Sequence, residues 1–199
     1  TRLSIIDTAE RASQPMIDSS GRYILVFNGE IYNYVELAKK YLSNIKLQTT
    51  SDSEVLLYLW INKKEECLNL LRGQFAFSIW DNKKKVLFIA RDRLGQKPLI
   101  YYYNDNELIF SSEINSLMKI INSKKKLNLE AVDHFLRNQF IPAPLTIYEK
   151  VYKLLPGHYL KWEKKEITIK KYWSLKFPEE LSVIDNDQDL IMQFEELVK

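Results

Sequence analysis

Between residues 75 and 112 the apolar pattern of this 199-residue chain breaks into four short runs joined by polar turns. FAFSIWD (75–81), the turn NKKK and VLFIARD (86–92) read as one hairpin, and PLIYYY (98–103), NDN and ELIFSS (107–112) as a second. Strands this hydrophobic and aromatic, joined this tightly, require an antiparallel sheet with both faces covered. A third hairpin is expected where GHYLKW (157–162) and ITIKKYW (167–173) flank EKKE.

Upstream the pattern is different. RLSIID (2–7) reads as a strand, and ERASQPMIDSSG (10–21) as a polar connection ending in a turn around 19–21. YILVF (23–27) does not alternate and is expected to be a strand buried on both faces. NYVE (33–36) has the form of a capped helix start, with Asn33 accepting from the first amides and Glu36 in the positively polarised first turn, so that the strand enters a helix through the loop NGE. SDSE (51–54) is a capping box ahead of VLLYLW. ECLNLLRG (66–73) reads as a third helix closing on Gly73 in a left-handed stop. INSLMKII (114–121) and LEAVDHFL (129–136) carry helical spacing. Helices, then hairpins, then helices predict a layered α+β domain and argue against a parallel βαβ sheet.

A hydrophobic content of 46% suffices for one core with the beginning of a second domain. Lys and Arg number 29 against 26 acidic residues, and the basic runs at 83–85 and 124–126 read as solvated turns, so no nucleic-acid partner is expected. The longest apolar run, VLLYLWI (55–61), is far short of the roughly 20 residues a bilayer span needs. One cysteine, Cys67, excludes an intrachain disulfide and fits a reducing, cytoplasmic setting; with His134 and His158 it makes no familiar metal-ligand spacing. From residue 178 the composition turns acidic, which reads as a linker. The terminal DLIMQFEELVK sets Leu190, Ile191, Phe194, Leu197 and Val198 on one helical face, as at the start of a second domain.

Four places can carry chemistry. Asn28 and Gly29 put a side-chain amide beside a glycine N–H, the composition of an oxyanion hole, although an Asn-Gly pair is also an ordinary turn. Asp52 in the first turn of a helix favours the helix dipole and can also receive a ligand ammonium. Arg2 is by default a surface charge but can clamp a carboxylate with two hydrogen bonds. RDRLGQKPL (91–99) lacks the glycine density of a phosphate cradle and reads as a structural loop with an Arg91–Asp92 ion pair. Cys67 reads as a packing residue and His158 as a turn or strand residue.

In order along the chain, RLSIID, FNGEIYNY (27–34), TSDSEVLL (50–57), LRGQFAFSIWD (71–81) and FIARDRLGQKPLIYY (88–102) resemble the glutaminase domain of glutamine-hydrolysing asparagine synthetases, within the class II glutamine amidotransferases. FIPAPLTIYEKVYKLLPGHYL (140–160) resembles the same family's passage toward its synthetase domain. The resemblance implies an N-terminal-nucleophile hydrolase fold, an αββα sandwich of two antiparallel sheets. It covers residues 1–177, an N-terminally incomplete glutaminase domain, and leaves 178–199 as the linker and first helix of a truncated synthetase domain. It implies Arg2 at the glutamine α-carboxylate, the backbone of Leu3 and Ile5 lining the pocket, and Asn28 and Gly29 as the oxyanion hole. Glu30 and Asp52 would help hold the substrate, Asp52 at its α-ammonium.

The family's nucleophile is a cysteine at the mature N-terminus. Cys67 sits in the wrong motif and Thr1 directly precedes RLSIID, so the nucleophile is expected upstream and these 199 residues alone are expected to be inactive. The resemblance further implies L-glutamine as the substrate here, and L-aspartate, ATP and Mg²⁺ at the C-terminal domain with none of these bound by this segment; it allows a homodimer. Two alternatives stay open: a glutaminase domain feeding another acceptor, such as a sugar phosphate or β-lactam precursor, and a catalytically silent amino-acid-binding module.

Overall fold

A computed structural model describes residues 6–7, 12–121, 125–177 and 187–198. The strand expected at 2–7 falls, apart from Ile6 and Asp7, outside these residues, as does most of the linker expected from 178. Strands β1 (Met16–Ile17), β2 (Tyr23–Ile31), β3 (Gly73–Asp81), β4 (Val86–Arg91), β8 (His158–Glu163) and β9 (Glu166–Lys171) form a six-stranded antiparallel sheet in the order β1-β2-β3-β4-β8-β9. Strands β5 (Ile100–Tyr103), β6 (Leu108–Ser111) and β7 (Val151–Lys153) form a second sheet in the order β6-β5-β7. The helices are α1 (Tyr34–Tyr41), α2 (Asp52–Lys63), α3 (Ile114–Ile120), α4 (Leu129–Asn138) and α5 (Asp187–Val198). None of the described helices is long and apolar enough to cross a membrane.

Strand alternation builds the layers. On one face of the large sheet Leu25, Phe27, Phe75, Phe77, Ile79 and Phe88 pack with Leu37 of α1 and Val55, Leu56, Leu59 and Trp60 of α2. On its other face Ala76, Leu87, Ile89 and Leu160 meet Leu99 and Tyr101, so the two sheets lie face to face. The far side of the small sheet presents Tyr102 and Val151 to Leu117, Met118 and Ile121 at α3. The expected αββα sandwich is therefore built, and all three expected hairpins form with the register their turns imply.

Several local expectations are corrected. β2 is not buried on both faces: Tyr23, Leu25 and Phe27 are buried, whereas Val26 is 44% exposed and Asn28 is exposed as well. The three-stranded sheet covers β3, β4 and β8 but does not reach β2, whose outward face is left open. NGE lies within β2 and not in a loop; the connection to α1 is only Tyr32 and Asn33. Asn33 does not cap α1 through its side chain. Its Nδ2 donates to the Leu70 carbonyl and its Oδ1 accepts from Arg72 N–H, both at 3.0 Å, which ties the helix start to the approach of β3.

The segment expected as a third helix is a 3₁₀ turn at Lys64–Asn69, and Gly73 is no helix stop but the first residue of β3. Ser51 caps α2 by accepting from Ser53 N–H, while Glu54 turns to the amides of Gln48 and Thr49 instead of completing the box. Arg91 and Asp92 do not bind each other. The guanidinium donates to the carbonyls of Gly95, Lys97 and Leu154 at 2.6–2.7 Å, and the Asp92 carboxylate accepts from the amides of Phe75, Leu94, Gln96 and Lys97. Both side chains hold the loop by its backbone, because in a tight turn the unpaired amides and carbonyls lie closer than any counter-charge.

The C-terminal end of β3 carries a bidentate pair, Arg22 Nε and Nη2 donating to the two oxygens of Asp81 at 2.9 and 2.7 Å. The Arg22 guanidinium, helped by the Lys83 and Lys84 amides, holds the Asp81 carboxyl at about 2, against an ordinary value of 3.8. A folded-state value below the unfolded one gives stability that is present above about pH 4 and lost as the pH falls toward 2. Because the pair is largely solvated, its contribution is small and screened by salt. Arg22→Ala is expected to remove that part of the acid-side slope in urea titrations between pH 2 and 5 while changing the slope above pH 6 little; an unchanged slope would discount the pair.

Candidate active site

The open outward face of β2 forms the floor of a cavity of about 650 Å³. Asn28, Gly29 and Glu30 of β2 line it together with Asp52 and Ser53 at the N-terminus of α2, and Ser111, Ser112, Glu113 and Ser116 form the wall where β6 passes into α3. Residues from both sheets and the starts of two helices thus converge on one volume, although those named are up to 88 positions apart in the chain (28 to 116).

Gly29 pairs with Phe75 at φ +153°. A Cβ there would stand 2.1 Å from the Gln74 carbonyl oxygen and 2.7 Å from the Phe75 Cα, so only glycine lets β3 approach this closely. Asn28, one residue earlier, projects its amide from the strand and donates through Nδ2 to Ser112 Oγ at 3.3 Å.

Asp52 is buried, with 4% of its surface accessible. Its Oδ2 accepts the Ile31 N–H at 3.0 Å, and Ser51 Oγ donates to Oδ1 at 3.4 Å. Burial pushes its carboxyl above the ordinary aspartate value and the neighbouring Glu30 charge adds to that, against the lowering by the Ile31 and Ser53 amides. A carboxylate whose charge is opposed by burial and by a neighbouring acid is stabilised by a cation, and an ammonium suits the available oxygens. The same cavity also offers an uncharged donor, the Asn28 amide, so carboxylates and a hydrogen-bond donor line one volume.

Of the residues expected to form the site, Asn28, Gly29, Glu30 and Asp52 are brought together. Arg2, Leu3 and Ile5 lie outside the described residues; Ile6 lines the cavity, and Asp7 Oδ2 accepts from Thr50 N and Oγ1, next to the start of α2. Two contributions were not anticipated from sequence. One is the serine wall, whose only signal was the hydroxyl-rich SSEINS at a strand-to-helix junction. The other is Gln14, whose Oε1 accepts the Phe27 N–H at 2.7 Å and so fixes β2 beside the cavity.

Cys67 lines no part of this cavity. It is fully buried in the helix-side core, and burial pushes its thiol far above the ordinary range, so it is a packing residue. His158 begins β8 and its Nδ1 lies 2.7 Å from the Pro156 carbonyl. Among the described residues no cluster of three or more His, Cys, Asp or Glu side chains is placed to hold a metal ion.

The chain is 36% identical to a putative glutamine-hydrolyzing asparagine synthetase 2 of Methanocaldococcus jannaschii, over 92% of this chain and 38% of that protein. It is 41% identical to asparagine synthetase 1 of Bacillus subtilis, over 88% of this chain and 28% of that protein. Amidase chry2 of Gibberella zeae is 34% identical over 96% of this chain and 28% of its own length. The chain thus spans 28–38% of the length of these relatives. The fold matches that of the glutamine phosphoribosylpyrophosphate amidotransferase from B. subtilis with a TM-score of 0.56 at 19% identity, covering 80% of this chain and 32% of that one. Residues 1–173 match the family model for the glutamine amidotransferase domain, and the chain belongs to that family.

Proposed function

We propose that residues 1–177 are the glutaminase domain of a glutamine-hydrolysing asparagine synthase, with 178–199 the linker and first helix of its synthetase domain. The observation that carries this is the single cavity that joins Asn28 and Gly29 to Glu30 and Asp52. Glutamine has an ammonium for the carboxylates of such a site and a side-chain carbonyl for its donors. In this reading Asp52, with Glu30 beside it, receives the α-ammonium. Arg2 pairs with the α-carboxylate, and the backbone of Leu3 and Ile5 closes the pocket; the position of Ile6 on the cavity lining supports that assignment.

A cysteine thiolate supplied by the protein outside these 199 residues adds to the γ-carbonyl. The electron pair of the C=O bond moves to oxygen, and the Asn28 amide and Gly29 N–H stabilise that oxyanion. Collapse expels the amide nitrogen as ammonia once it is protonated, leaving a thioester that water hydrolyses to glutamate. ATP and Mg²⁺ are assigned to the remainder of the protein, where ATP activates the aspartate β-carboxylate for attack by the ammonia. A cytoplasmic setting and assembly as a homodimer belong to the same proposal. The relatives named as amidases favour a second reading, in which the same domain serves a different acceptor.

Asp52→Ala in the full-length protein tests the assignment. The ammonium contact exists in both ground and transition states, so its loss is expected to raise KM for glutamine roughly 10- to 100-fold with a smaller change in kcat. Asparagine formation from free ammonia should persist. Equal loss with both nitrogen sources would indicate a folding defect, and an unchanged KM would remove Asp52 from the ammonium site.

A further inference from the structure

We infer that Ser112 is a positioning residue for the oxyanion-stabilising amide of Asn28; this rests on the glutaminase reading above. Asn28 sits on the one face of β2 that the second sheet leaves uncovered, and it is exposed there. An unrestrained amide in that position samples several rotamers, whereas stabilisation of a developing charge depends on a donor that is already aimed. The side-chain hydrogen bond that the structure gives Asn28 runs from Nδ2 to Ser112 Oγ at 3.3 Å, across 84 positions of sequence. Nδ2 carries two hydrogens. With one directed to Ser112, the other is available to the cavity that both residues line.

Ser112 is itself well anchored. It occupies the corner between β6 and α3, where Ser111 pairs with Ile100 of β5 and the following turn is held by Glu113 N–H donating to Ser111 Oγ at 3.1 Å. α3 is pinned by the buried Leu117 and Met118. The hydroxyl is therefore carried by the small sheet and its helix while the amide is carried by the large sheet, and their bond links the two layers at the reacting end of the cavity. The neighbouring serines do not share this role: Ser111 Oγ is engaged with the turn, and Ser116 lies a full helical turn farther on.

The test uses Ser112→Ala, Ser112→Thr and Asn28→Ala, and the Ser112→Ala/Asn28→Ala pair, in the full-length protein. Loss of one neutral hydrogen bond that aims the donor is expected to lower kcat for glutamine hydrolysis about three- to tenfold with KM for glutamine within about twofold. Threonine, which keeps the hydroxyl, is expected to restore most of the rate. Because Ser112 acts through Asn28, Ser112→Ala in the Asn28→Ala background should cost nothing further. A normal rate in Ser112→Ala alongside a strongly impaired Asn28→Ala would overturn the role of Ser112 and leave the glutaminase reading intact. Additive losses in the double variant, or a loss that threonine does not rescue, would also overturn it. If wild type releases no ammonia from glutamine, or if Asn28→Ala is neutral, the underlying reading falls and this inference falls with it. Matching thermal midpoints for Ser112→Ala and wild type establish that the rate change is not unfolding.

Discussion

Asn28→Ala in the full-length protein is expected to reduce glutamine turnover about 10²- to 10³-fold, the range seen when one donor is removed from an oxyanion hole. The loss should fall on kcat, since the oxyanion exists only after the nucleophile has added and the ground-state carbonyl draws less on the same donor. Use of free ammonia should be unchanged, because no oxyanion at this cavity is needed for it. Stability should also change little: Asn28 is exposed and, among the described residues, its side chain makes one hydrogen bond, to Ser112. Glutamate formation and ammonia-dependent asparagine formation, measured side by side, check the prediction. A loss below threefold would take Asn28 out of the mechanism.

How much of this was legible in the sequence varied with the range of the interaction concerned. The hairpins were readable because alternation and turn residues are local, and FAFSIWD-NKKK-VLFIARD folds as its pattern predicts. YILVF is apolar throughout and predicts a strand covered on both faces, yet Val26 stays exposed where the three-stranded sheet ends. No local pattern encodes the width of a partner sheet. The same missing information hid the serine wall, since Ser112 becomes relevant only when the β6–α3 corner is laid beside β2. Asn33 and Arg91 failed in another way. The pattern points each to a nearby side-chain role, a helix cap or an ion pair with Asp92, whereas Asn33 bonds the backbone of Leu70 and Arg72 brought close by the tertiary fold and Arg91 bonds the carbonyls of its own loop and of Leu154. Asp52 was legible as a helix-start carboxylate, but its burial and the approach of the Ile31 amide were not.

Gly29→Ala is expected to destabilise the domain by roughly 3 kcal/mol or more, enough to prevent folding in a marginal background. Two costs combine. At φ +153° an L side chain is strained, and its Cβ would lie 2.1 Å from the Gln74 carbonyl oxygen and 2.7 Å from the Phe75 Cα. These neighbours are backbone atoms of β3, paired with β2 and, at Phe75, held on the other side by the Asp92 amide and carboxylate, so they cannot yield as the end of a flexible side chain would. Gly73 faces the same restriction from the opposite strand, with the Glu30 carbonyl oxygen 2.1 Å from its Cβ position. Gly21→Ala provides the control: it lies at φ +70° with nothing within 4 Å of the added carbon, so it should cost only the left-handed backbone penalty of about 1 kcal/mol. Denaturant midpoints of the two variants separate steric from conformational cost, and a Gly29→Ala protein as stable as Gly21→Ala would contradict the close approach of β3. The consequence for function is that Gly29 is required by the sheet whether or not its N–H meets an oxyanion. Loss of glutaminase in a Gly29 variant therefore carries no information about the oxyanion hole, and the neighbouring Asn28, which the sheet does not require, is the residue on which that role can be tested.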